Sequence, residues 1–148
     1  MKPIMLALST FRQSEKVVQL AIEKAKTTKK LVVVFIIDVN LRRYLAYTDI
    51  GLYPRIKEKL ETEILKEHEK QAKEKVNNIV STAEKFGISV KAYIEKGRFG
   101  LKCVEIAKIE NPELIITTRS KRPEWVKKLF GSPVDYLIKN SGCKVIEI

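Results

Sequence analysis

The sequence predicts an α/β domain with a doubly wound, five-stranded parallel sheet, helices on both faces and a Rossmann-like arrangement. Three observations carry this. Ile4 to Leu8 and Leu31 to Ile37 are apolar runs without a charge, as expected of parallel strands covered on both sides. The stretches between such runs place hydrophobic residues at helical spacing. The resulting order is βαβαβαβαβ, with no tandem repeat or low-complexity tract, and a chain of 148 residues with 45% hydrophobic content is expected to form one domain over residues 1–148.

After the first strand, Ser14 to Lys26 carries Val17, Val18, Leu20, Ala21, Ile22 and Ala25 on a helical stripe. The Thr27-Thr28 pair, poor helix formers, predicts its end before the second strand. An irregular region follows Asp38 through Pro54. A long helix comes next, with Leu60, Ile64, His68, Ala72, Val76, Ile79, Val80 and Ala83 in one stripe and Phe86-Gly87 as its stop. Ile88 to Glu95 alternates as ISVKAYIE, the pattern of a less buried strand near an edge. Gly97 and Gly100 mark the turn into a third helix, which Leu101, Val104, Ile106, Ala107 and Ile109 suit. Asn111-Pro112 ends it. Leu114 to Thr117 is the fourth strand. Ser132 suits the cap of a fourth helix that starts at Pro133 and turns Val134, Leu137 and Ile138 inward; Ser141-Gly142 ends it, and Lys144 to Ile148 closes the sheet.

Charge and cysteine content narrow the function. A formal net charge of +11 invites a nucleic-acid reading, since clustered Lys and Arg attract phosphates. Between Arg55 and Lys85, however, lysines alternate with glutamates as on a solvated helix face with short-range pairs, so nucleic acid is not the expected partner. The longest apolar run, Leu31 to Ile37, is far short of the roughly 20 residues that span a bilayer, and the first residues lack a signal-peptide pattern. A cytoplasmic protein without a membrane partner is expected. Cys103 and Cys143 lack the spacing of a zinc site or disulfide framework and read as reduced, packed thiols. His68 has no second ligand at metal spacing, and packing explains it. Arg42, Arg43, Tyr44, Tyr47 and Tyr53 form a basic, aromatic cluster that reads as a packed surface loop, as does Trp125 at a packed or interface position. Neither a nucleophile with its base nor a Walker loop is present.

In doubly wound sheets ligands lie beyond the carboxyl ends of the strands, at the point where strand order reverses. The candidates there are Ser9, Asp38, Thr118 to Lys121, and Gly131-Ser132. Their spacing resembles the universal stress protein signature of glycine, two residues, glycine, nine residues, glycine and serine or threonine, with Thr118 and Lys121 at the first two glycines and Gly131-Ser132 at the end. Ser14-Glu15-Lys16, Phe35 to Asp38, Gly97, Glu113 with Leu114 to Ile116, Asp135 and Cys143 match the family in order. The resemblance covers nearly the whole chain.

It implies an adenine-nucleotide alpha-hydrolase-like fold and a homodimer paired through the C-terminal strand, as the short apolar edge Lys144 to Ile148 also suggests. It also implies a stress-response or regulatory role, with ATP bound by some members. The corresponding nucleotide or anion positions are Ser9, Ile36 at the adenine, and Thr118, Arg119, Lys121, Gly131 and Ser132 at the phosphates. Ser9 stands where binding members have an acid. Glycine serves a phosphate loop because φ > 0 is free for it, while left-handed geometry costs other residues roughly 1–2 kcal/mol; Pro133 also removes a backbone donor from the helix start. The leading expectation is therefore a non-catalytic protein with a degenerate nucleotide site and no required cofactor or metal. The alternative is an ATP-binding switch, at most a slow ATPase, in which Ser132 meets phosphate and Arg119 or Lys121 replaces the missing amides. A nucleic-acid-binding protein is the lower alternative.

Overall fold

Alternate residues of a strand face opposite sides, so an uninterrupted apolar run requires two hydrophobic layers. The computed structural model describes residues 1–38, 54–119 and 133–148, with only the backbone at 38 and over 54–61. The five strands are β1 (Ile4–Ser9), β2 (Lys30–Asp38), β3 (Ser89–Gly97), β4 (Leu114–Thr117) and β5 (Lys144–Glu147). They form one sheet of order β3-β2-β1-β4-β5, parallel at every pairing. The doubly wound parallel sheet is as expected. β1 lies at its centre, which explains why all its residues are buried.

Helices α1 (Glu15–Thr28) and α2 (Pro54–Glu84) contribute to one layer, and α3 (Phe99–Glu110) and α4 (Pro133–Ser141) to the other. Ile4, Leu6 and Leu8 of β1 join Val17, Ala21 and Ala25 of α1 and Ala72, Val76 and Ile79 of α2. Met5 and Ala7, pointing the other way, meet Phe99, Cys103 and Ala107 of α3 and Val134 and Leu137 of α4. The β1 and β2 runs thus supply both layers.

Several boundaries differ from the sequence expectation, each for a tertiary reason. Helix α1 continues through Thr27-Thr28 because Thr28 is buried and its hydroxyl donates to the Lys30 carbonyl at 3.1 Å; Lys29 then ends the helix in left-handed geometry, φ 63°. Helix α3 starts at Phe99, so Gly100 lies within it and not in the preceding turn. There the absence of a side chain permits close helix packing: a Cβ on Gly100 would stand 2.9 Å from the Pro133 carbonyl oxygen. Ile138, expected to face inward, is exposed, as are Leu101 and Ile109, because α3 and α4 bury their Val104–Ala107 and Val134–Leu137 sides against the sheet and each other. Strand β3 occupies an edge and has no fully buried residue, as its sequence indicates, but exposure does not follow the apolar–polar alternation: Ile94 is exposed while Tyr93 and Glu95 are half-buried. His68 is half-buried on the α2 stripe.

Candidate functional site

The sheet reverses direction at β1: β2 and β3 lie to one side, β4 and β5 to the other. The main-chain register of β1 with β4 runs only from Ile4↔Leu114 to Leu6↔Ile116. Beyond it a side chain bridges the two strands, the Thr117 hydroxyl donating to the Ala7 carbonyl at 2.8 Å. Two parallel strands that part in this way open a crevice at their carboxyl ends.

The turn leaving β1 lies at that edge. Ser9 and Arg12 exchange backbone hydrogen bonds, each 3.1 Å, and the tight return carries the Arg12 side chain across to β4. Its Nη1 donates to the Thr118 carbonyl at 3.0 Å and to Glu147 Oε2 at 3.2 Å. The guanidinium carbon sits 5.1 Å from the centre of the buried Phe99 ring, within cation–π range. Arg12 is only 4% exposed, whereas the Glu147 side chain is 35% exposed. One cation therefore joins the β1 turn, the end of β4, the start of α3 and the edge strand β5.

Ser9 is buried beside this arginine, and its hydroxyl has no partner among the described residues. The same holds for the Thr10 hydroxyl. The Ile36 side chain is fully buried, and its carbonyl accepts from the Thr10 amide at 3.3 Å. Thr118 is not left-handed; among the described non-glycine residues only Lys29 and Asn111 have positive φ. Thr118 instead extends the contact with β5. Its hydroxyl donates to the Ile148 carbonyl at 2.6 Å, the Arg119 amide donates to the same oxygen at 3.1 Å, and the Ile148 amide donates to Thr117. The Arg119 side chain is exposed. Ser9 and Thr118 are thus brought together through Arg12, while Ile36 belongs to the neighbouring strand. Lys121, Gly131 and Ser132, the Arg42 to Tyr53 cluster and Trp125 lie outside the described residues.

Sequence reasoning missed Arg12, Phe99 and Glu147. The available signal was the single arginine in the short link from β1 to α1, since such links face the carboxyl rim. Cys103 lies in the same layer with its thiol fully buried; burial pushes its pKa upward, and the positive charge of Arg12 opposes that shift. It is a packed thiol and not a reactive one. No group of three or more metal-ligating side chains occurs among the described residues, and none of their helices is long and apolar enough to cross a membrane. A separate cleft of about 280 Å³ at the amino ends of β1 and β4 is bordered by Lys24, Glu113 and Lys144; it is remote from the crevice.

A family model described as the universal stress protein family matches residues 1–147. Among solved structures, the chain is similar to universal stress protein UspA from Lactobacillus plantarum, with 16% identity, a TM-score of 0.69 and coverage of 99% of this chain and 97% of that one. A universal stress protein in complex with cAMP aligns at 12% identity and TM-score 0.57, covering 99% of this chain and 96% of that one. One from Archaeoglobus fulgidus in complex with dAMP aligns at 18% identity and TM-score 0.56, covering 100% and 98%. No curated protein sequence matches the chain.

Proposed function

The chain belongs to the universal stress protein family, and on that premise we propose that it is a non-catalytic stress-response or regulatory module with a degenerate nucleotide site. It acts in the cytoplasm as a homodimer paired through the C-terminal strand. The observation that carries this reading is the engagement of the end of β4 by the protein itself. The Thr118 carbonyl accepts from Arg12, and the Arg119 amide donates to Ile148. An anion arriving here meets an amide already bonded and a crevice lined by a buried arginine side chain. Replacing such bonds with ligand bonds yields little net affinity.

Equilibrium dialysis with ATP and magnesium tests the proposal. Binding no tighter than the millimolar range is expected; micromolar binding overturns the weakened-site reading. Light scattering tests the dimer, and a monomer at working concentration counts against it.

A second reading, a true ATP-binding switch, draws support from two observations. Similar proteins have been solved with cAMP and dAMP, and the buried Ser9 hydroxyl lacks a partner among the described residues. Lys121→Gly separates the readings. ATP affinity rises if the lysine merely replaces a useful glycine, and falls if the lysine itself holds phosphate. Binding of RNA or DNA with a steep salt dependence would favour the nucleic-acid alternative instead.

A further inference from the structure

Glu147 is an unusual partner for a buried arginine. It belongs to a four-residue edge strand, and its side chain is 35% exposed while that of Arg12 is 5% exposed. The guanidinium also meets rigid parts of the fold: a carbonyl at the end of β4 and the Phe99 ring at the start of α3. Neither supplies a full negative charge. Glu147 thus sets a carboxylate, partly open to water in the single chain, against a cation held by the fold. A carboxylate and a phosphate oxygen offer the same acceptor chemistry to a guanidinium, and a chain with net charge +11 draws anions toward its surface.

We propose that Arg12 is the anion-anchoring, specificity-determining residue of the crevice, and that the Glu147 carboxylate occupies its anion position until a phosphate-bearing ligand displaces it. The inference rests on the crevice being the ligand site and deepens that reading: affinity is low because every anion must displace Glu147. Neutral nucleosides gain nothing from the exchange, whereas phosphate and pyrophosphate groups do. The Ser9 hydroxyl, buried next to the Arg12 turn and without a partner among the described residues, is an additional donor for a ligand that opens the crevice.

Isothermal titration with inorganic pyrophosphate tests this on the whole chain, comparing wild type, Glu147→Gln and Arg12→Gln. Glu147→Gln removes the competing charge and is expected to tighten binding at least about fivefold, the lower end of ordinary coupling between sites. Arg12→Gln is expected to abolish both the binding and the rise in Tm with pyrophosphate. Unchanged or weaker binding by Glu147→Gln overturns the proposal, as does pyrophosphate stabilisation of Arg12→Gln equal to that of wild type. If Arg12→Gln does not fold, Glu147→Gln alone decides. Micromolar ATP binding by wild type would refute the weakened site yet leave the ratio between Glu147→Gln and wild type to judge the exchange.

Discussion

Replacing Gly100 by alanine probes how closely the two helices at the carboxyl rim approach. The new Cβ would lie 2.9 Å from the Pro133 carbonyl oxygen and 3.2 Å from Tyr136 Cδ1, whereas ordinary contacts begin at 3.4 Å. The nearer obstacle is backbone, so α4 must retreat by about half an ångström from its place over the sheet, a forced shift of the kind overpacking imposes. Such overpacking costs about 1–3 kcal/mol, and the better helix propensity of alanine returns at most about 1 kcal/mol. A net loss of up to about 2 kcal/mol is expected, lowering Tm by up to roughly 8 °C. Urea unfolding gives the free energy, and amide chemical shifts along Val134 to Leu137 report the displacement. Gly87→Ala is the control: Gly87 has φ +73° and nothing within 4 Å of the place its methyl group would take, so it should lose stability through backbone strain while leaving those shifts in place. A Gly100→Ala protein as stable as wild type, with α4 unmoved, would refute the reasoning.

Thr117→Val should cost about 1–2 kcal/mol in urea unfolding, because it deletes a buried hydrogen bond to Ala7 while keeping the side-chain shape. Lys29→Gly should raise stability by about 0.5–1 kcal/mol, since glycine accepts the left-handed helix end without a Cβ penalty; a loss in Tm would contradict this. Burial lowers the His68 pKa from 6.5, with the Glu67 charge opposing the shift. The unfolded chain therefore binds the proton more readily, and stability present above pH 6.5 declines as pH falls through the lowered folded value. Denaturation measured against pH should show this slope in wild type and a flatter one in His68→Gln.

Much of the fold was legible because burial on two faces leaves a local trace. The unbroken runs in β1 and β2 announce parallel strands, and the polar residues interleaved in β3 announce a less buried edge. Once the strand order follows, Ser9 and Thr118 become neighbours at the switch point. Arg12 could not be found in the same way, since its partners Thr118 and Glu147 are 106 and 135 positions away and no local pattern selects them. The helix runs on to Thr28 because tertiary burial outweighs weak intrinsic propensity. Leu101, Ile109 and Ile138 show the opposite limit: helical spacing identifies apolar residues but does not say which of them remain at the surface.

The central position of β1 has a consequence for synthesis. Its register with β2 joins residues such as Leu6 and Val33, but its register with β4 joins Leu6 to Ile116. At translation rates of about 5–20 residues per second, the first strand waits roughly 5–20 s for its second neighbour. During that interval β3, β2 and β1 can form a half-sheet whose inner edge is one of the most apolar segments of the molecule. The nascent chain is then most exposed to misassociation at the strand that later becomes its best protected. The same late pairing brings Thr118 within reach of Arg12, so the crevice is assembled only as the sheet closes.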